Sequence, residues 1–324
     1  MTSAASATST APLHLIVKSG GAAAMPEWRG YFAEFAPQVV VHDWSEPPAD
    51  RSLIDFALVW EPDAGVLATF PQLKAVFSSA AGVDHILADP LLPAHLPVVR
   101  MVTAESQQRM AEFCLMATLM LQKNLPRVLA QQQRREWIEF NPPSIATSTT
   151  VGILGLGTLG AAVARQLRAL GYQVQGWSQT RKQMEGVQSF CGADELPAFL
   201  QHSQVLICLL PDTDATRGIL NQQLFAQLPR GAQLINAGRG TQLNTADLLA
   251  ALGSGQLDSA LLDVAEPEPL PADSPLWQHP RILLTPHIAA SASRRAKAQQ
   301  VVRSMAQWQA GEPLANALDR QRGY

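Results

Sequence analysis

Short apolar runs of strand length alternate with segments of helix length along this chain, and this alternation restricts its fold more than any other feature. Strands that are separated by helices pair in parallel, in sheets covered by helices on both faces. The alternation occurs twice. The first set of predicted strands spans residues 13–17, 39–44, 56–60, 73–79 and 97–101, with helical segments such as 28–35 between them. Five such strands predict a flavodoxin-like unit.

The second set of predicted strands spans residues 150–154, 173–177, 205–210, 233–236, 259–264 and 281–284. Six parallel strands with intervening helices predict a Rossmann unit. The sequence therefore predicts an α/β protein with two doubly wound parallel-sheet domains, one flavodoxin-like and one of the Rossmann type.

The length and composition agree with two domains. A chain of 324 residues that is 47% hydrophobic and 16% charged exceeds what one core usually holds. Residues 1–11 contain mostly Ser, Thr and Ala and predict a disordered tail. A last helical segment, 292–311, is expected to return to the first domain. We thus expect a first domain of residues 12–103 with 288–324, and a second of residues 104–287.

Charge and cysteine usage exclude several classes of protein. A net charge of −3 without a long run of Lys or Arg argues against a nucleic-acid partner. The three cysteines, Cys114, Cys191 and Cys208, share no metal-ligand spacing and are expected to be reduced. We therefore predict no metal site and a cytoplasmic location. No apolar run is long enough to cross a bilayer, and the N-terminus lacks a secretion signal, so no membrane association is expected.

The helical segment 105–125 joins the two sets of strands. Its second half is apolar on more than one face, so packing on one side alone would leave apolar surface in water. This pattern predicts a homodimer formed through the segment.

A glycine-rich turn follows the first strand of the second set. Gly155, Gly157 and Gly160 form a GxGxxG pattern between an apolar strand and a helical segment, 159–170. Such glycines allow a tight turn and let a pyrophosphate approach the N-terminus of the helix, so this context predicts a dinucleotide site. The predicted contacts are Gly155, Leu156, Gly157, Thr158, Leu159 and Gly160.

The residues after the next strand predict which cofactor is bound. An NAD site usually has an Asp or Glu there, about 20 residues beyond the glycines, to bind the ribose hydroxyls. The chain instead continues as Ser178, Gln179, Thr180, Arg181 and Lys182. Two cations and no acid favour the 2'-phosphate of NADP(H) over NAD(H), with Ser178, Gln179, Arg181 and Lys182 as predicted contacts. A solvated basic turn is the alternative.

Three polar residues follow later strands at the edge where open sheets bind ligands. Arg239 lies between two glycines and can hold a carboxylate with its planar fork. His287 can exchange a proton with a carbonyl oxygen if a carboxylate fixes its tautomer. Glu268 and Glu266 are both candidates for that carboxylate, and spacing does not separate them. Asp263 is either a cofactor contact or a residue that caps the end of its strand.

These motifs, together with segments 57–60, 73–77, 81–84, 186–190, 274–280 and 322–324, resemble the D-2-hydroxyacid dehydrogenase family over nearly the whole chain after the tail. Among its members, the resemblance is to those that reduce glyoxylate and hydroxypyruvate. It implies a catalytic set of Arg239, Glu268 and His287. It further implies substrate binding by Trp60, Ala81, Gly82 and Arg239, and cofactor contacts at Leu210, Pro211, Ala237, Gly238 and Asp263.

The resemblance also implies the reaction. NADPH would reduce small 2-keto acids by hydride transfer with His287 as the acid, taking glyoxylate to glycolate and hydroxypyruvate to D-glycerate. Dehydrogenation of another D-2-hydroxy acid is one alternative, and a dinucleotide-sensing scaffold of the same fold is another. Gly238 and Ala265 depart from the residues usual in the family, Ala and an aromatic residue, and these changes affect the shape of the pocket.

Overall fold

The computed structural model describes residues 12–142 and 144–320. They form two compact units, the first with residues up to Thr103 and from Ala292 onward, the second with Ala104–Ser291. Residues 288–291, which the sequence placed in the first domain, lie in the second unit. The predicted tail 1–11 and the terminal motif 322–324 lie outside the described residues.

The first unit contains a parallel five-stranded sheet in the order β2-β1-β3-β4-β5. Elements are numbered along the chain. The strands are β1 (Leu13–Lys18), β2 (Val39–Asp43), β3 (Phe56–Val59), β4 (Ala75–Ser78) and β5 (Val98–Val99). The helices of this unit are α1 (Met25–Phe35), α2 (Asp84–Leu87) and, from the C-terminal part of the chain, α9 (Arg294–Gln309).

Helix α9 packs against α1 in this unit, as the sequence predicted for the last helical segment. Its residues Val301 and Met305 share an apolar cluster with Trp28 and Phe32 of α1. Arg295 adds an ion pair with Glu34 of α1 at 2.5 Å. The strands β3 and β4 are fully buried, which explains their continuous apolar sequence.

The second unit contains a parallel seven-stranded sheet in the order β12-β11-β10-β9-β6-β7-β8. Its strands are β6 (Thr150–Leu154), β7 (Gln173–Ser178), β8 (Gln188–Cys191), β9 (Val205–Cys208), β10 (Ala232–Asn236), β11 (Leu257–Leu262) and β12 (Ile282–Leu284). Chain order reverses between β6 and β9, and such a switch point opens a crevice at the carboxyl ends of the strands. The α/β class with two parallel sheets is thus confirmed.

The sequence predicted six strands in this sheet, and it missed β8. Strand β8 lies at the sheet edge and, within the described part of the chain, pairs with β7 alone. Its residues are partly buried or exposed and half of them are polar, so it lacks the apolar run that marks the interior strands.

The helices of the second unit are α3 (Ala104–Gln122), α4 (Leu125–Arg134), α5 (Thr158–Ala169), α6 (Gly192–Leu200), α7 (Gln222–Phe225) and α8 (Thr245–Ser254). The predicted single helix 105–125 is therefore too long. It ends at Gln122, because Asn124 takes a left-handed conformation with φ of 54° and α4 begins at Leu125.

The apolar surface of α3 is mostly used within its own unit. Met110, Phe113, Cys114, Ala117 and Leu121 are buried in a cluster that α3 shares with α5 and the sheet. On the other face of α3, Met116 is exposed and Leu115, Leu119 and Met120 are only partly buried, so the predicted dimer stays a prediction. Among the described residues, no helix is both long enough and apolar enough to cross a membrane.

Candidate active site

The glycine loop lies at the switch point of the second sheet, between β6 and α5. Gly155 has a φ of 100°, which other residues rarely adopt, and a Cβ there would lie 2.8 Å from the Leu209 carbonyl oxygen. A Cβ at Gly160 would meet the Gly155 carbonyl oxygen at 2.1 Å. Both positions therefore require glycine, and together they hold the turn tightly against the carboxyl end of β9.

The middle glycine has a different environment. A Cβ at Gly157 would meet no atom within 4 Å, so the loop leaves open space in front of α5. Gly157 is the N-cap of α5 and makes no side-chain capping bond, which leaves the first backbone N–H groups of the helix available to an anion. This geometry fits the pyrophosphate of a dinucleotide.

The other predicted contacts of the loop differ in exposure. Thr158 is exposed and Leu159 is partly buried at the start of α5. Leu156 is buried, and its side chain packs so closely on Gly176 that a Cβ there would meet it at 2.8 Å. Leu156 can therefore contribute only its backbone to a ligand.

The predicted 2'-phosphate segment follows β7 as an exposed turn. Arg181 donates to the Ser189 carbonyl oxygen at 2.6 Å and to the Glu195 carboxylate. The backbone N–H of Lys182 donates to the Ser189 hydroxyl at 3.1 Å. The hydroxyl of Ser178 donates to the carbonyl oxygen of Thr180. The turn keeps two cations at the surface, and Gln179 beside them is also exposed.

Arg239 follows β10, and one buried residue organises its surroundings. Gln242 accepts from the Arg239 backbone N–H at 3.0 Å and donates to the carbonyl oxygens of Leu210 at 2.8 Å and Pro211 at 3.0 Å. It thereby connects the Arg239 turn to the loop after β9, where the resemblance implied cofactor contacts at Leu210 and Pro211. Sequence reasoning missed Gln242, because its role depends on contacts with residues far away in the chain.

Close packing shapes this turn as well. A Cβ at Gly240 would lie 2.0 Å from the carbonyl carbon of Ala265, so the turn and the loop after β11 touch only because residue 240 is glycine. A Cβ at Gly238 would lie 2.4 Å from Oε1 of Gln242. Gly238 therefore suits this position of Gln242 better than the alanine usual in the family. Ala237 is itself buried.

Cys208 also contacts Gln242, with its Sγ 3.3 Å from Oε1. Burial raises the pKa of the Cys208 thiol to about 12, so it is a hydrogen-bond donor and not a nucleophile. The three cysteines are unpaired. Among the described residues, no group of three or more His, Cys, Asp and Glu side chains could hold a metal ion.

Asp263 is buried at the end of β11, and its carboxylate holds the loop that carries His287. One oxygen accepts from the Thr285 hydroxyl at 2.6 Å and from the Ile288 N–H at 2.9 Å, and the other accepts from the Ala289 N–H at 2.9 Å. His287 has a left-handed φ of 53° within this loop. These contacts match the strand-end role that the sequence left open.

His287 pairs with Glu268 and not with Glu266. Nδ1 of His287 lies 2.8 Å from one Glu268 oxygen, and the other oxygen accepts from the Ala265 N–H at 3.0 Å. The carboxylate is therefore fixed by its own loop while it orients the imidazole. A proton on Nδ1 leaves Nε2 as the atom that exchanges a proton with a ligand.

The predicted substrate residues of the first unit follow the carboxyl ends of β3 and β4. The hydroxyl of Ser78 donates to the Gly82 carbonyl oxygen at 2.7 Å and accepts from the Ala80 N–H at 3.1 Å, which fixes the turn that contains Ala81. The ring of Trp60 lies against that of His85, with centroids 4.4 Å apart. His85 thus supports Trp60.

The chain is similar to known proteins over nearly its whole length. Residues 115–289 match the family described as "D-isomer specific 2-hydroxyacid dehydrogenase, NAD binding domain". The chain is 43% identical over 303 residues to a glyoxylate/hydroxypyruvate reductase A of Serratia proteamaculans, and 40% identical over 303 residues to one of Yersinia enterocolitica. Each alignment covers 92% of this chain and 96% of the relative.

Two solved structures are similar over nearly the whole chain. One is a D-isomer specific 2-hydroxyacid dehydrogenase of Xanthobacter autotrophicus in complex with NADPH and MES, with a TM-score of 0.91, 39% identity, and coverage of 97% of this chain and 100% of that one. The other is an NADPH-dependent glyoxylate/hydroxypyruvate reductase of Sinorhizobium meliloti with NADP and sulfate, with a TM-score of 0.88, 39% identity, and coverage of 96% and 100%. The chain belongs to the D-isomer specific 2-hydroxyacid dehydrogenase family.

Proposed function

We propose that this protein is an NADPH-dependent reductase of small 2-keto acids, which takes glyoxylate to glycolate and hydroxypyruvate to D-glycerate. The observation that carries the proposal is the His287–Glu268 pair at 2.8 Å, in the same unit as a glycine loop open at Gly157. The names of the relatives in Serratia and Sinorhizobium support the choice of substrates.

The chain's own groups account for each part of the reaction. Arg239 holds the substrate carboxylate through its guanidinium fork, and Nε2 of His287 donates a proton to the carbonyl oxygen as that oxygen gains negative charge. Glu268 keeps the imidazole in the required tautomer and stabilises its charged form. NADPH, when bound, supplies the hydride. We assign Trp60, Ala81 and Gly82 to substrate binding from the family resemblance.

The proposed cofactor site includes groups for the pyrophosphate, for the 2'-phosphate and for the nicotinamide. The N–H groups at the start of α5 would hold the pyrophosphate, and Arg181 with Lys182 would hold the 2'-phosphate. Ser178 and Gln179 are proposed beside that phosphate, while Leu210, Pro211, Ala237, Gly238 and Asp263 are proposed on the nicotinamide side. The relatives from Xanthobacter and Sinorhizobium were crystallised with NADPH and NADP, which supports the preference over NADH.

A panel of 2-keto acids tests the proposal. We expect rapid loss of NADPH absorbance with glyoxylate and hydroxypyruvate, slower loss with bulkier keto acids, and chromatographic identification of glycolate and D-glycerate. His287→Ala, the matched control, should lower turnover by about a hundredfold to ten-thousandfold. Tight NADPH binding without turnover of any member of the panel would instead favour a dinucleotide-sensing protein.

We also propose a homodimer that buries the outer surface of α3, α4 and the following loop. Large apolar side chains are exposed there: Met116, Val128, Leu129, Trp137, Ile138 and Ile145. Trp137 is 95% exposed. Several large apolar side chains left exposed on consecutive elements are typical of an interface between subunits. We place the dimer in the cytoplasm because the three cysteines are unpaired.

Light scattering tests the dimer. The parent protein should have the mass of two chains, and Trp137→Ser should shift the equilibrium toward the monomer. Trp277→Ser is the matched control, because Trp277 is also an exposed tryptophan of the second unit, at 55% exposure, but lies outside the proposed surface. A parent protein that is monomeric at micromolar concentration would contradict the proposal.

A further inference from the structure

The guanidinium of Arg181 is held on one side by two acceptors. Its two terminal nitrogens donate separately, one to the Ser189 carbonyl oxygen of β8 at 2.6 Å and the other to the Glu195 carboxylate of α6. A guanidinium carries five N–H donors in one plane, so these two bonds orient the plane and leave further donors for a second partner. The side chain of Arg181 remains 52% exposed, which keeps that other side accessible to a ligand.

Glu195 is itself fixed, and both of its oxygens are used. One oxygen contacts Arg181, and the other accepts from the Cys191 N–H at 2.8 Å. Glu195 lies in the first turn of α6, where a carboxylate interacts favourably with the helix. The Cys191 N–H and then the Arg181 guanidinium hold the pKa of the Glu195 carboxyl below its usual value, so it is ionised at neutral pH. The acid therefore provides a rigid, charged anchor.

The edge strand β8 supports this anchor and also contacts the basic turn directly. Ser189 and Cys191 belong to β8, and the hydroxyl of Ser189 also accepts from the Lys182 N–H at 3.1 Å. Strand β8 and the start of α6 thus hold the basic turn through the Arg181 side chain and the Lys182 backbone N–H. The side-chain amine of Lys182 takes no part in these bonds, so it stays available as the proposed second phosphate contact.

We propose that Glu195 is a positioning residue that sets the preference for NADPH over NADH, because it holds Arg181 in the orientation that binds the 2'-phosphate without touching the cofactor itself. The inference rests on the proposed assignment of Arg181 to that phosphate. A long arginine side chain loses conformational entropy when it binds a ligand, and an arginine already held in place loses less. NADH carries no 2'-phosphate, so its binding does not depend on how the Arg181 side chain is held.

Two effects of Glu195 oppose each other, and their balance can be measured. Its negative charge repels a phosphate, so removal of the charge alone strengthens NADPH binding. Its contact orders Arg181, so removal of the contact weakens NADPH binding. Asp194, the exposed neighbour in the same first turn of α6, carries the same charge and makes no contact with Arg181. Asp194→Ala therefore measures the charge effect alone.

The test is the dissociation constant of NADPH and of NADH for the apoenzyme, measured by tryptophan fluorescence for five variants. They are Asp194→Ala, Glu195→Ala, Glu195→Gln, Arg181→Gln and the double variant Arg181→Gln/Glu195→Ala. Glu195→Ala should weaken NADPH binding by about two- to tenfold, and NADH binding by much less. Glu195→Gln should recover part of the loss, since its amide oxygen can still accept from Arg181. Asp194→Ala should not weaken NADPH binding.

The double variant distinguishes action through Arg181 from a general structural effect. Arg181→Gln should weaken NADPH binding by about fivefold or more, and the added Glu195→Ala change should then have little further effect. Unchanged or tighter NADPH binding by Glu195→Ala would overturn the inference, and so would equal losses for both cofactors. If Arg181→Gln itself shows no selective loss, the proposed phosphate contact fails as well. A selective loss in Arg181→Gln without one in Glu195→Ala would refute the role of Glu195 alone.

Discussion

Replacement of Asp263 by Asn tests how the fold holds His287, the proposed catalytic acid. The Asp263 side chain is 1% exposed and accepts three hydrogen bonds, from the Thr285 hydroxyl and from the N–H groups of Ile288 and Ala289. An asparagine of the same shape keeps one acceptor oxygen. Its NH₂ group then faces either the Ala289 N–H or the pair of donors on the other side, so the N–H of either Ala289 or Ile288 loses its partner.

The cost follows from these contacts. A buried N–H without a partner costs about 1 to 3 kcal/mol, and the remaining bonds lose the strength that the negative charge added, about 1 kcal/mol each. The neutral amide is less costly to bury than the carboxylate, which offsets part of this loss. We expect Asp263→Asn to lower the free energy of unfolding by about 2 to 4 kcal/mol. For a unit of this size each kcal/mol lowers Tm by about 2 to 4 °C.

The same substitution should impair catalysis. His287 has its left-handed φ of 53° in the loop that Asp263 anchors, so a loosened loop misplaces the imidazole. We expect kcat to fall by about 10- to 100-fold. Thermal unfolding and steady-state kinetics of the purified variant measure both effects. Thr285→Val is the matched control, because it removes one bond and leaves those from Ile288 and Ala289, at a cost of about 1 kcal/mol. Parental Tm and kcat in Asp263→Asn would refute the reasoning.

Three further predictions concern the proposed chemistry. Arg239→Lys should lower kcat/KM for keto acids by about 10- to 100-fold, because an ammonium cannot reproduce the planar fork, and the Kd of NADPH should change little. A parental kcat/KM would contradict the role of Arg239 as the carboxylate anchor. Glu268→Gln should slow reduction by about tenfold or more, because an amide cannot stabilise the imidazolium, whereas Glu266→Gln should behave like the parent; the reverse order would contradict the pairing. Initial rates across pH should fall with rising pH for keto-acid reduction and rise for hydroxy-acid oxidation, because the two directions need opposite protonation states of His287; parallel profiles would argue against His287 as the acid.

The features that local sequence carries were predictable. Gly155 and Gly160 are required because a side chain at either position would collide with backbone atoms, those of Leu209 and of Gly155 respectively. This requirement is visible in the sequence as the spacing of the glycines. The α/β class followed from buried parallel strands, whose two covered faces produce continuous apolar runs such as β9. Arg239 and His287 stood out because each follows a strand at the edge where ligands bind.

Features that depend on contacts between distant residues were not predictable in this way. Strand β8 is short, partly polar and at the sheet edge, so its partner β7, and not its own composition, makes it a strand. Gln242 became visible as an organiser of the Arg239 turn only through its contacts with Leu210 and Pro211, more than thirty positions away in the chain. The position of the helix end at Gln122 was missed because the left-handed Asn124 carries no stronger signal than any other asparagine.

The sequence alone determined the α/β class, the glycine loop, the basic turn and the residues proposed for the acid–base chemistry, because each of these depends on residue type and local spacing. Spacing left Glu268 and Glu266 open as the partner of His287, and the family resemblance implied Glu268. Only the tertiary structure shows Glu268 in contact with the imidazole, and only it revealed Asp263 as the anchor of the histidine loop. The two glutamates are two positions apart in one proline-rich loop and are chemically identical. Which of them reaches the imidazole depends on the path of the backbone. Long-range packing sets that path, so it cannot be predicted from the local sequence.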